Sequence, residues 1–125
     1  MVADGEHRSL RSIYATTRQT ATRTAMLLAG LTDLPGVRIF QGIRTADGSA
    51  PPLPHAVSRG RHLILVESVA WPGGWYGAAP DGRIHCDGVY IGRSIGPLST
   101  AVNWWSRQLP GGHRVSAMVV VHPSR

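Results

Sequence analysis

A chain of 125 residues is sized for a single domain with one hydrophobic core and no need of covalent staples. Thirteen arginines and no lysine stand against seven acidic residues, a net charge of +6 that suits a polyanionic partner. The lone Cys86 excludes an internal disulfide framework, no apolar run (63–66 among them) is long enough for a bilayer, and no secretory signal opens the chain, so a cytoplasmic protein without membrane insertion is expected.

Residues 9–31 are predicted to form one long helix. Leu10, Tyr14, Thr17, Ala21, Thr24, Leu28 and Leu31 recur at spacings of four and three, as an amphipathic seam requires. The middle of the seam is small (Thr17, Ala21, Thr24), which permits close approach of another element. Arg8, Arg11 and Arg18 share a different face with Arg23 nearby, a stripe that either tracks phosphates or is simply solvated. Pro35 and Gly36 end the helix.

Residues 37–43 alternate as a strand should, and 45–54 read as a loop whose prolines exclude a central strand. Residues 55–58 and 61–69 flank Arg59-Gly60 and predict a hairpin, with 63–66 apolar on both faces like a covered central strand. Trp71, Trp75 and Tyr76 fall in a loop without helical or strand period; their rings either stack on bases or lid the sheet. Asp81-Gly82 and Asp87-Gly88 bracket 83–86, with 89–91 beyond, and predict a small hairpin.

A second helix is expected over 97–109, with Leu98, Ala101, Val102, Trp105 and Leu109 on one face, Pro97 in the first turn and Ser94 available as a cap. Trp105 belongs to the core, and Trp104, off the seam, is a candidate interface ring. Residues 115–121 form a last apolar strand. No repeat or linker divides the chain, so 1–125 is read as one domain with a helical segment 9–31 and a sheet core 37–122, cut from a longer protein. The expected fold class is α/β, a mixed β-sheet flanked by the long N-terminal helix and the second helix.

Several local words, in order, resemble the nuclease-related domain of the restriction-endonuclease-like superfamily. Leu53-Pro-His-Ala-Val57 resembles that family's Ile-Asp-His-Val-Val, and Leu63-Ile-Leu-Val-Glu-Ser-Val69 its apolar strand ending in acid, spacer, lysine. Trp71-Pro-Gly-Gly74 resembles the Trp-Ser-Gly that follows. The 81–88 hairpin and Arg93-Ser-Ile-Gly-Pro-Leu98 resemble the segments leading into the next helix. The resemblance implies a restriction-endonuclease-like core. It also implies a site in which two acids hold a divalent cation and a lysine stabilises charge on the scissile phosphate.

Carried over position by position, the first acid falls on Pro54, the second on Glu67 and the lysine on Val69, while His55 keeps the family's histidine. One carboxylate is a poor anchor for a hard cation. The expectation is therefore a non-catalytic module without metal or cofactor that binds nucleic acid or a protein partner. Its nucleic-acid candidates are Arg8, Arg11, Arg18, Arg59, Arg61 and Trp75.

One alternative is a Mg²⁺-dependent nuclease rebuilt around Glu67, with Asp47 swinging in and Arg61 replacing the lysine's charge. The other is a self-associating scaffold that uses the small-residue seam and Trp104 to form a homodimer. His85 and Cys86, adjacent on a strand, point to opposite faces and make no metal pair, and Cys86 reads as a buried thiol. Glu67 itself, at the end of an apolar strand, is expected to find an arginine or a backbone N–H as partner.

Overall fold

The apolar run 63–66 lies in the strand of the sheet that is covered on both faces, and the rest of the fold is arranged around it. The computed structural model describes residues 10–44 and 52–123, with side chains from residue 18 onward. Helix α1 (Leu10–Ala29) passes into a 3-10 turn (Gly30–Asp33) ahead of the predicted Pro35-Gly36 stop. Strands β1 (Val37–Ile43), β2 (Leu53–Arg59) and β3 (His62–Val69) follow. The chain then makes a small sheet of β4 (Tyr76–Ala78), β5 (Arg83–Cys86) and β6 (Val89–Ser94), and ends with α2 (Gly96–Gln108) and β7 (Arg114–Val121).

The larger sheet has the order β1-β2-β3-β7, antiparallel except for the parallel β3–β7 pair. A parallel neighbour needs a long crossover, and here the small sheet and α2 supply it. β3 therefore has a strand on either side and a helix over each face, which explains why its middle is apolar in both directions. Leu65 packs on the α2 side with Leu53, Ala56, Leu98 and Ala101, and Val66 on the α1 side with Val57 and Leu28. Among the described side chains of α1 the buried ones are Thr20, Thr24 and Leu28. The seam residues Thr24 and Leu28 thus face the protein's own sheet, joined by Thr20, which lies off the predicted seam, while Ala21 is only partly covered. No helix among the described residues is long and apolar enough to cross a membrane.

Two sequence expectations change. The 45–54 loop ends early: Leu53 and Pro54 lie in β2, a strand with neighbours on both sides. The ladder tolerates the missing N–H by skipping it, passing from Gln41↔His55 to Ile43↔Leu53 beside Gly42, whose φ is 65°. The stretch 71–76 is not wholly loop, because Tyr76 opens the three-residue strand β4 on the edge of the small sheet. The predicted hairpin there is present. Asp87 (φ 51°) and Gly88 (φ 81°) both adopt the left-handed conformation that a two-residue turn favours.

Candidate functional site

β2 and β3 carry the positions singled out from the sequence. Their register runs up to His55↔Val66, and one step further sets Pro54 across from Glu67. Strand alternation puts Glu67 and Val69 on the α2 side of the sheet, where Glu67 is paired with Val119 of that side's core. On β2 the alternation breaks at Pro54, since Leu53 and Ala56 both pack on the α2 side. His55, the register partner of Val66, falls on the α1 side. Glu67 and Val69 thus share one face, His55 lies on the other, and Pro54 stands where the alternation of β2 breaks.

Glu67 is half-buried, and burial raises its pKa above the ordinary 4.5. It makes no hydrogen bond or ion pair with a described residue, so the expected arginine or backbone N–H partner is not found among them. Arg61 lies beyond the opposite end of β3, roughly 20 Å away at strand spacing. Asp47 falls outside the described residues. Among the described residues no three His, Cys, Asp or Glu side chains are grouped to hold a metal ion. Pro54 and Val69 offer no side-chain donor, so these positions do not fit a divalent cation, which takes six or more oxygen ligands or keeps several waters.

The α1 face holds a polar cluster that the sequence did not announce. The fully buried Thr24 hydroxyl lies 2.6 Å from Ser68 Oγ and 2.9 Å from His122 Nε2, and the His122 backbone N–H donates to Val69 O at 2.8 Å. These bonds tie α1 to the ends of β3 and β7, and they commit Thr24, part of the proposed self-association surface, to the protein's own sheet. On the same face His55 is 4% exposed, and its Nδ1 has no hydrogen-bond partner among the described residues. Burial lowers its pKa below the ordinary 6.5.

Opposite pH signatures follow. His55 is held neutral in the folded state, so its contribution to stability is lost as pH falls from 6.5 through its depressed folded pKa. Glu67 is the reverse. Its penalty is absent below 4.5 and builds as pH rises through its elevated folded pKa. Urea melts from pH 4 to 8 should show Glu67→Gln more stable than wild type near neutrality, by less than about 1 kcal/mol because the group keeps some water. That gain should vanish in acid. His55→Gln should remove the acid-side loss. A Glu67→Gln variant destabilised at pH 7 would mean that the carboxylate has a favourable partner after all.

The cationic and aromatic candidates are dispersed. Arg8 and the side chain of Arg11 fall outside the described residues, and Arg18 and Arg23 are exposed on α1. Arg59 and Arg61 are exposed around the β2–β3 turn, where a Cβ on Gly112 (φ 90°) would come within 3.0 Å of the Arg61 guanidinium. Arg61 also lines a cleft of about 270 Å³ between the end of α2 and the sheet, with Phe40, Leu63, Trp105, Leu109 and His113.

Trp105 is half-buried in the core, donates its indole N–H to Arg44 O at 2.7 Å and meets Trp104 edge to face at 5.0 Å. Of the 71–76 rings, Trp71 and Tyr76 pack together at 5.7 Å, the Tyr76 hydroxyl donating to Pro72 O, whereas Trp75 is 87% exposed. Cys86 is buried, with its thiol directed at Gly73 O. Compared with known protein families, curated proteins and solved structures, the chain matches none of them.

Proposed function

We propose that the chain is a non-catalytic nuclease-related domain with a restriction-endonuclease-like core, and that it binds nucleic acid. The element order supports this: a long helix, a strand, a hairpin, a small antiparallel sheet, a helix and a parallel strand, in the sequence that the local words lead one to expect. The observation that carries the reading is the β2–β3 register. Continued one step, it sets Pro54 across from Glu67, with Val69 further along the same strand and face as Glu67, so the positions that correspond to that family's two acids and lysine adjoin one another yet hold a single carboxylate. A charge of +6 carried entirely by arginine supplies the attraction to phosphates.

The test combines cleavage and binding. Single- and double-stranded DNA and RNA are incubated with the protein in Mg²⁺ or Mn²⁺, and retention is measured in parallel at two salt concentrations. The expected result is intact substrate, with binding that weakens as salt rises. Metal-dependent cleavage abolished by Glu67→Ala would overturn the reading in favour of a rebuilt nuclease. Absence of binding at low salt would remove the nucleic-acid role.

A further inference from the structure

The outward face of the small sheet combines features that the remnant site does not use. The register Gly77↔His85↔Tyr90 sets one residue from each strand in a row across the sheet. Gly77 contributes no side chain, so the row leaves His85 and Tyr90 with their rings 5.9 Å apart. Tyr90 is 48% exposed, and the exposed Arg83 guanidinium sits 5.4 Å from its ring centre. The residues on the other face of β5, Ile84 and Cys86, are buried. The sheet therefore has an inner apolar side and an outer side of rings and cations.

Trp75 extends the row. Its carbonyl accepts the Asp87 N–H at 2.8 Å, which continues the β4–β5 ladder by one rung, and strand alternation puts it on the Gly77 face. Strand spacings of roughly 4.8 Å across and 3.4 Å along place Trp75 about 12 Å from Tyr90, with His85 between. The backbone under Trp75 is pinned. Its N–H donates to Asp87 Oδ1 at 3.0 Å, and at Gly74 (φ 153°) a Cβ would come within 2.6 Å of both Asp87 Oδ2 and Cys86 Sγ. A ring so exposed adds little to folding, yet it stands on a fixed support.

We propose that Trp75, His85 and Tyr90, with Arg83, form a stacking platform for single-stranded nucleic acid. The proposal rests on the nucleic-acid reading above and gives it a location and a strand preference. Unpaired bases offer free π-faces to such rings, whereas a duplex keeps its bases stacked on one another. Arg83 is paired with Asp81 at 3.3 Å and Asp87 accepts the Trp75 N–H, so the general attraction to phosphates comes from the chain's net charge of +6 and the rings supply the local preference.

The experiment measures fluorescence anisotropy of a labelled 20-nucleotide oligothymidine, an oligouridine of equal length and a 20-base-pair duplex, over a salt series. The proteins are wild type, Trp75→Ala, Tyr90→Ala and Arg83→Ala, each checked by thermal melting and light scattering. Wild type should bind both single strands more tightly than the duplex. Trp75→Ala and Tyr90→Ala should each weaken single-strand binding by about tenfold with the salt slope unchanged, whereas Arg83→Ala should reduce the slope.

Failure to bind any of the three ligands would overturn the nucleic-acid reading and the platform with it. Binding that survives both ring substitutions, or that favours the duplex, would overturn the platform alone. A wild-type dimer that Trp75→Ala converts to a monomer would assign the face to a second copy of the chain and would also overturn the platform.

Discussion

Leu65→Ala should lower the free energy of unfolding by about 3–4 kcal/mol, a large share of the roughly 5–15 kcal/mol that holds a domain of this kind together. Leu65 is fully buried in the strand that has neighbours on both sides. Its register partners are Ala56 on β2 and Ala117 on β7, and Ala101 of α2 lies in the same cluster. Short side chains cannot reach into the space that three lost carbons would leave. Only Leu53 and Leu98 are large among the buried members, and both are already packed. The cavity therefore stays open, which puts the cost near the middle of the usual range. Urea denaturation followed by circular dichroism would check it, with an unchanged slope showing that the transition is the same. A cost under 1 kcal/mol would mean that α2 can settle onto the sheet, and that this interface is far looser than the packing around Leu65 indicates.

Thr24→Val should cost about 2–3 kcal/mol although it hardly changes the side chain's volume. The substitution removes one hydroxyl and leaves Ser68 and His122 without the group that serves both. His122 is buried and pays most of the penalty of an unmet polar atom, whereas the half-buried Ser68 can recover part of its loss in water. Thr24→Ser keeps the hydroxyl and should lose only about 1 kcal/mol, the worth of a methyl group. Equal losses in the two variants would show that shape, and not the hydrogen bonds, fixes α1 on the sheet.

The elements written in local periodicity were legible before any coordinates. The four-and-three spacing through Thr24, Leu28 and Leu31 marks α1, the two-sided apolar run at 63–66 marks the central strand, and the Asp-Gly pairs mark the turns of the small hairpin. What escaped depends on distance along the chain. Thr24 and His122 are 98 residues apart, and neither carries a local sign of the other. β4 is three residues long and includes Gly77, too short for a period to register. Pro54 argued against a strand with two neighbours because a proline normally breaks a ladder, and the skipped rung beside Gly42 answers that objection.

The candidate site was read unevenly for the same reason. The shared face of Glu67 and Val69 follows from alternation along β3, so the sequence pattern already contained it. A partner for Glu67 was expected from the cost of burying a carboxylate, but none is found among the described residues, and the cost appears in its raised pKa. Trp75 could be named as a ring without a period. Its company with His85 and Tyr90 needed the register of three strands.

The parallel pairing of β3 with β7 has a consequence for how the chain reaches this fold. His62 and Arg114 become neighbours across 52 residues, so closing that loop costs more entropy than closing either hairpin and is expected to come late. Until it closes, one edge of β3 and its apolar run stands open, a template for pairing with other chains. Arg61 precedes the run 63–66 and Glu67 ends it. Charges in those two places act as gatekeepers, because a stacked array of such segments would have to bring like charges into register. The carboxylate that burdens the finished fold thus shields the unfinished one from aggregation.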